Sequence, residues 1–394
     1  MRILTRYILL EMGQTFLVTL ASMTTFVFLV LIGREAVENG VGLSPILKML
    51  PYILPQAMQF AVPGAMLLAA TSVYGRVASS NEIVAIKSLG VSPMTLMWPT
   101  FGLAAAVSLG AVALNDLAVS WGYDGVKRVV LESLEEVAYG RLSTTRRFRT
   151  DRLQVNVRGV DGQRLIGPII QVVARDGGQP SLITADEAEL RTDVEHGVVT
   201  VSLVNAEGDL DGWSILYPGK LERSFPIADF TGQSNGAKSP SNFALREIGP
   251  AVEAQRTKVV RYRQEMAADA GLALLTGRTV QLSQAKWGPR VNRVVNAERT
   301  LHRLRTEPQR RWANGFSCLG FVLIGAPMAV RRRHGEFWGS FFACFLPILL
   351  LYYPMLVGCV DLAKDGNLPP TAVWIGNIVL AGLGGLLMRK VIRF

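Results

Sequence analysis

GRVASSNEIVAIKSLGVSP, Gly75 to Pro93, is a short polar island between two long uncharged runs, and its reading decides what kind of molecule this is. Ser79 stands three residues before Glu82, the spacing of a capping box, and Gly90 and Pro93 supply a stop. The stretch therefore predicts one small helix over about 79–90. Ile83, Val84, Ile86 and Leu89 make an apolar face of about two turns on it. A helix that short is marginal alone and needs something to bury that face against. Resting on lipid at a membrane surface would also meet that need.

The flanking runs, and four others like them, are long enough to cross a bilayer. Uncharged windows extend over Met12–Gly33, Met49–Gly75, Ser88–Asn115, Trp312–Val330, Phe337–Val360 and Gly366–Met388. A spanning helix needs about 20 such residues, so all six qualify, the fourth being the shortest. A mean hydropathy of +0.28 and a charged fraction of only 18% exclude an ordinary soluble enzyme. The first window is too long for the apolar core of a signal peptide, and no small-residue cleavage site follows it, so it is expected to remain as a span.

Six crossings put both termini on one side. Arg2, Arg6, Arg76, Lys87, Arg331, Arg332, Arg333, Arg389, Lys390 and Arg393 share that side with the Ser79 helix. The opposite short loops carry Arg34, Lys48 and Lys364, offset by Glu35, Glu38, Asp361 and Asp365. Positive charge marks the cytoplasmic face, so the termini and the small helix are expected there. Much of the net charge of +10 lies on that rim. No nucleic-acid motif accompanies it, and no nucleic-acid partner is expected.

The texture changes at Trp121. β-rich runs follow at Leu153–Val157, Leu165–Ala174, Ser181–Ala185, Val198–Val204, Trp213–Tyr217 and Leu221–Ile227, with turn signals at Arg175–Gly178 and Glu207–Asp209. Short strands spaced in this way predict an antiparallel, jelly-roll-like domain over 121–242. TGQSNGAKSPS, Thr231 to Ser241, is a linker by composition, and its glycines and Lys238 lack phosphate-loop spacing. Residues 243–311 turn helical and charged, with a basic cluster at Arg256, Lys258, Arg261 and Arg263 that reads as a solvated face or, near a leaflet, as a contact for lipid phosphates. The expected organisation is three spans and the small helix over 1–120, the β domain, the charged helical segment, and three spans over 312–394. The fold class is thus an α-helical polytopic membrane protein with an inserted extracytoplasmic β domain.

Little in the chain points to catalysis. No His-Glu-x-x-His or Walker pattern occurs, and His302 and His334 stand isolated among arginines. Cys318, Cys344 and Cys359 all fall inside expected spans, where they read as packing residues. No cofactor or metal is expected. Arg34 is placed where the first helix leaves the membrane; it either snorkels to water or faces an anionic ligand.

With the spans placed, the chain resembles the lipopolysaccharide-export permeases of the LptF/LptG type. The likeness rests on RYILLE at Arg6–Glu11, the Gly75–Pro93 stretch, LREI at Leu245–Ile248, FVLIGAPMAVRRRHGEFWGS at Phe321–Ser340 and GNLPPTAVWIGN at Gly366–Asn377, in that order. The resemblance implies a transmembrane subunit of an ABC exporter in the bacterial inner membrane, with both termini cytoplasmic and the large domain in the periplasm. It implies four partners: a cytoplasmic ABC ATPase, a second permease chain, periplasmic β-domain bridge proteins, and lipopolysaccharide or a related glycolipid. On that basis Glu82 is the acidic contact of a coupling helix, Ile83, Ile86 and Leu89 are its apolar anchors, and Gly90 is its stop. The phosphorylated substrate also makes Arg34 a headgroup candidate. The helical segment at about 250–304 is longer than the family generally carries. A non-transporting scaffold or sensor whose β domain binds a partner is the alternative, and it would tolerate replacement of Glu82.

Overall fold

The computed structural model describes residues 2–39, 43–90, 92–132, 134–149, 153–172, 181–193, 198–210, 213–226, 239–277, 284–332 and 337–393. The turn expected at Arg175–Gly178, most of the linker after Thr231 and the end of the 331–336 turn lie outside the described residues. The chain divides into two compact units, one made of 1–27, 55–120 and 239–394, the other of 28–54 and 121–238.

The first unit is helical. α1 (Arg2–Asn39) and α2 (Leu43–Ser79) begin the chain and extend into both units; α3 (Glu82–Ser88) and α4 (Pro93–Leu117) follow. After the excursion to the second unit come α7 (Leu245–Leu275), α8 (Gln284–Arg331), α9 (Phe337–Pro347), α10 (Tyr353–Lys364) and α11 (Ile375–Arg393). Among the described residues six helical stretches are long and apolar enough to cross a membrane: Thr5–Arg34, Ile46–Ser79, Pro93–Val126, Trp287–Arg331, Phe341–Lys364 and Pro370–Ile392. They contain the bulk of the six uncharged windows.

The shortest window turns out to be the hub. In α8, 72% of the spanning window is buried, against 6% in the first span. Small residues let the neighbours come close. At Gly315 of α8 a Cβ would stand 2.3 Å from Val112 Cγ2 and 3.1 Å from the Ser108 carbonyl, both on α4. The Ser108 hydroxyl accepts the Leu319 N–H at 3.2 Å across the same crossing. At Gly384 of α11 a Cβ would lie 2.8 Å from the Leu323 carbonyl of α8. Without a hydrophobic force between helices in lipid, such close backbone contact is what holds spans together.

α8 also runs without a break from the charged segment into its span, 48 residues in all. Its first half packs antiparallel on α7 around Val259, Ala297 and Leu301. Gln255 donates to the Ala297 carbonyl at 2.9 Å, and Arg290 pairs with Asp269 at 3.1 Å. In the cluster at Arg256–Arg263, Arg256, Lys258 and Arg261 are exposed, whereas Arg263 reaches across the hairpin to donate to Glu298 of α8.

The described residues of the second unit form a nine-stranded antiparallel sheet, ordered β1-β2-β5-β6-β8-β7-β4-β3 with β9 along β8. The strands are β1 (Arg147–Arg149), β2 (Leu153–Asn156), β3 (Gly159–Asp161), β4 (Arg164–Ile166), β5 (Ile169–Val172), β6 (Ser181–Thr184), β7 (Glu187–Asp193), β8 (Val198–Leu210) and β9 (Trp213–Pro226). The sheet curls into a half-barrel about a bend in β8. Residues 198–204 of that strand pair with β7, and 207–209 pair with β6. Asn205 makes the bend, with φ 53 and a register shift between Val204 and Ala206. Its side chain donates to Asp186 at 2.9 Å and accepts the Gly219 N–H at 3.2 Å. Val199, Val201 and Leu203 are buried in alternation, and the extra residue shifts the phase so that Ala206 continues the buried row.

Several expectations for this unit change. Residues from Trp121 do not enter the sheet at once: α5 (Asp124–Glu132) and α6 (Leu134–Thr145) come first. Tyr139 of α6 bolts onto the sheet by donating to the Gln163 carbonyl at 2.6 Å and accepting the Leu190 N–H at 2.9 Å. The run expected at Leu165–Ala174 splits into β4 and β5, because Gly167 takes φ 57 and Pro168 has no N–H to donate. Glu207–Asp209, expected as a turn, lies inside β8, where both neighbouring strands satisfy its backbone.

Candidate functional site

The small helix forms, but not with the expected cap. α2 continues through Ser79, because the Ser79 and Ser80 hydroxyls both donate back to the Arg76 carbonyl, at 2.9 and 3.0 Å. The chain then reverses at Asn81, whose φ of 60 suits a residue that tolerates the left-handed region. Helix α3 therefore starts at Glu82, with no side-chain cap from Ser79. Ser80 also donates to the Glu82 carboxylate at 2.9 Å, tying the acid to the end of α2 instead. Gly90 closes α3 with φ 76 and its N–H on the Lys87 carbonyl at 2.9 Å. Pro93 opens α4, which Ser92 caps through the Met94 N–H.

The two sides of α3 do different things. Ile83 is buried in the main helical core and Ile86 packs against it. Lys87 crosses to α11, donating to the Val391 carbonyl at 3.1 Å and satisfying an acceptor that the end of that helix would leave open. Leu89 is 79% exposed and Val84 44% exposed, while Glu82 is half-buried. Of the three expected anchors, then, only Leu89 points away from the body. Val84 joins it there, and the sequence reading had not separated it from the inward residues.

Beside α3 lies a cleft of about 760 Å³ whose walls include Ile83, Val84, Lys87, Val330, Arg331 and Lys390. Its apolar floor and basic rim suit a surface that offers both apolar and acidic groups. Near the same end of the helices, Glu11 of α1 pairs with Arg76 of α2, and Arg76 also donates to the Tyr7 hydroxyl at 3.5 Å. The RYILLE and Gly75–Pro93 motifs thus meet in space.

The opposite ends of the spans are pinned by a group that sequence reasoning did not single out. Arg311 of α8 is fully buried and donates to the Ser241 and Phe243 carbonyls at 3.0 and 2.7 Å, and to Asp116 at 3.2 Å. Asp116 also accepts the Leu245 N–H at 2.7 Å, which is the first residue of LREI. Glu307, almost fully buried, is held by Arg310 and lies 3.6 Å from Arg311 Nε. One guanidinium therefore fixes the point where the chain leaves α4 and the point where it returns. The last motif is tied to α8 as well: Trp374 donates to Gln309 and Asn377 to the Ala313 carbonyl, both at 2.8 Å.

Arg34 is exposed, five residues before the end of α1. Among the described residues no cluster of three or more His, Cys, Asp or Glu side chains is placed to hold a metal ion. Cys318 and Cys344 are buried and Cys359 is half-buried.

A family model described as lipopolysaccharide export system permease LptF/LptG matches residues 6–390. Comparison with curated proteins found no match.

Proposed function

This chain belongs to the LptF/LptG family of lipopolysaccharide-export permeases, as an integral inner-membrane protein, and we propose that it is the transmembrane subunit of an ABC exporter driven by a separate ATPase chain. In this reading α3 is the coupling helix and the cytoplasmic face is the one it shares with both termini. Glu82, Val84 and Leu89 meet the ATPase, and the basic cleft beside them receives acidic groups of the same partner. Ile83 and Ile86 hold the helix to its own body, and Gly90 ends it.

The observation that carries this reading is the way α3 is mounted. It is joined to α2 by a two-residue turn, packed into the core through Ile83 and bonded to α11 through Lys87. A push on Leu89 therefore moves several spans together, which is what a subunit without its own nucleotide site needs in order to use closure of an ATPase pair.

The same reading assigns the remaining parts. A second permease chain completes the transport path, and Arg34 contacts a phosphate of the lipopolysaccharide headgroup, a task that favours arginine. The β domain, in the periplasm, receives the lipid and passes it to a bridge of similar domains. Strand β9, paired on one side only among the described residues, offers an edge to which such a domain can add.

Affinity purification of the tagged chain under mild detergent, with mass spectrometry of what accompanies it, tests the assignment. An ABC ATPase is expected with the wild type and is expected to be lost with Glu82→Lys and with Leu89→Asp, both of which alter groups outside the core. If those variants retain the ATPase and export normally, α3 is not the coupling element.

A further inference from the structure

We infer that the outer face of the α7–α8 hairpin is a contact for the sugar half of the exported lipid, and that it takes a saccharide carrying phosphate or carboxylate groups. The inference rests on the export reading for the source of that saccharide. The hairpin is the part of the helical unit that the coupling and transport assignments leave without a task. Residues 245–311 hold fourteen Lys or Arg against six Asp or Glu, so the surplus is strongly basic.

On α8 that charge is sorted by face. Val294, Ala297, Leu301 and Leu304 are buried, and Ala297 and Leu301 pack on Val259 of α7. Asn292, Asn296, Arg299, Arg303 and Arg310 follow at intervals of four, three, four and seven residues, which sets them in one row on the opposite face. The first four are exposed. Only two acids occur between Gln284 and Arg311, and neither stands in the row: Arg263 of α7 holds Glu298, and Glu307 is buried. Among the described residues no acid pairs with Arg299 or Arg303. A row of donors without a free carboxylate is a surface for an anion.

The chemistry of the row narrows its occupant. Arginine forks suit phosphate or carboxylate, and asparagine amides pair hydroxyls, so the two together suit a sugar chain that bears anions. None of the five is a large apolar side chain, so the row lacks the anchors on which a protein partner's affinity rests. α8 leaves its span as one unbroken helix, so the row rises away from the bilayer over 18 residues, about 27 Å. Its far end lies well beyond the roughly 8 Å over which salt lets a cation feel leaflet phosphates, which excludes the membrane surface. The near end fixes the source. Arg310 and Lys364 both line a cavity of about 360 Å³ between α2, α4, α8 and α10. A lipid held among the spans presents its head there, and the sugars beyond the head extend along the row.

Thermophoretic binding to the full chain in detergent tests this with three probes: lipopolysaccharide bearing a phosphorylated core oligosaccharide, the same lipid with the core removed, and the free core oligosaccharide. The wild type is expected to bind the first about tenfold more tightly than the second, the worth of two exposed charge pairs. Arg299→Gln/Arg303→Gln is expected to bring that ratio close to one without changing affinity for the core-free lipid. Arg256→Gln/Lys258→Gln removes the same charge from exposed positions on α7, off the row, and is expected to keep the ratio. All four positions are exposed, so no variant disturbs the core. Equal loss in both double variants reduces the effect to general charge and overturns the inference. A wild type without preference, or a preference indifferent to Arg299→Gln/Arg303→Gln, does the same. The free core is expected to bind at least tenfold more weakly than the lipid that bears it, because tethering raises its local concentration. Equal binding overturns the assignment to the exported lipid in favour of a soluble anionic sugar. A protein lost only from Arg299→Gln/Arg303→Gln, beside no core preference, overturns it in favour of an acidic partner. ATPase co-purification is scored separately on the same samples. Its absence beside an intact core preference defeats the export reading and leaves the saccharide contact standing; its presence beside no preference does the reverse.

Discussion

Replacing Arg311 by leucine removes the pin at the end of the spans, and the structure sets the size of the effect. Two charge-assisted bonds to the Ser241 and Phe243 carbonyls are lost outright, each worth about 1.5–3 kcal/mol. The acids are partly protected. Glu307 keeps its pairing with Arg310, and Asp116, whose side chain is 29% exposed, keeps water and the Leu245 N–H. The variant also escapes the cost of burying a guanidinium. The net loss is expected to be about 2–4 kcal/mol, at or just below what breaking a fully buried pair costs. Equilibrium unfolding in mixed detergent micelles measures it, and limited proteolysis should cut at 239–245 in the variant while sparing the wild type. Arg311→Lys should restore little, because one ammonium cannot span two carbonyls and a carboxylate as a planar fork does. A loss below about 1 kcal/mol, or full rescue by lysine, would refute the assignment of this residue as the pin.

Four further substitutions probe the two units. Gly384→Ala places a methyl against the Leu323 carbonyl, a backbone atom that cannot rotate away, and should cost about 1–3 kcal/mol in the same unfolding assay. Gly382→Ala, with nothing within 4 Å, is the control and should be neutral or slightly stabilising. In the β domain, Asn205→Ala loses two side-chain bonds and forces a left-handed alanine, for about 1–3 kcal/mol, whereas Asn205→Gly should cost less because the backbone stays relaxed. Hydrogen exchange of the β8 amides reports both; equal protection in the two variants would show that the bend does not depend on the conformation of residue 205.

The six spans were legible because absence of charge over some 20 residues is a property of the chain alone, needing no knowledge of neighbours. The β class was legible for a similar reason, since short β-rich runs divided by turn residues stand out whatever sheet order the strands adopt. What escaped depends on competition between nearby partners. Ser79 satisfies the sequence rule for a cap, yet the Arg76 carbonyl lies within reach of its hydroxyl, and α2 keeps going. On a helix of two turns, Ile83 and Val84 are equally apolar neighbours, and only the position of the core separates the buried one from the exposed one. The Arg311 pin had a signal that went unused. Asp116 follows the third window and Arg311 precedes the fourth, so opposite charges stand at matching ends of two spans, where pairing relieves the cost of each.

The central claim is that the exposed side of α3 engages an ATPase, and photo-crosslinking from single positions in the membrane tests it most directly. A photoreactive amino acid at position 89 should capture an ABC ATPase, and the same group at position 83, buried in the core, should capture only this chain itself. Capture of no second protein from position 89, or equal capture from both positions, would contradict the account.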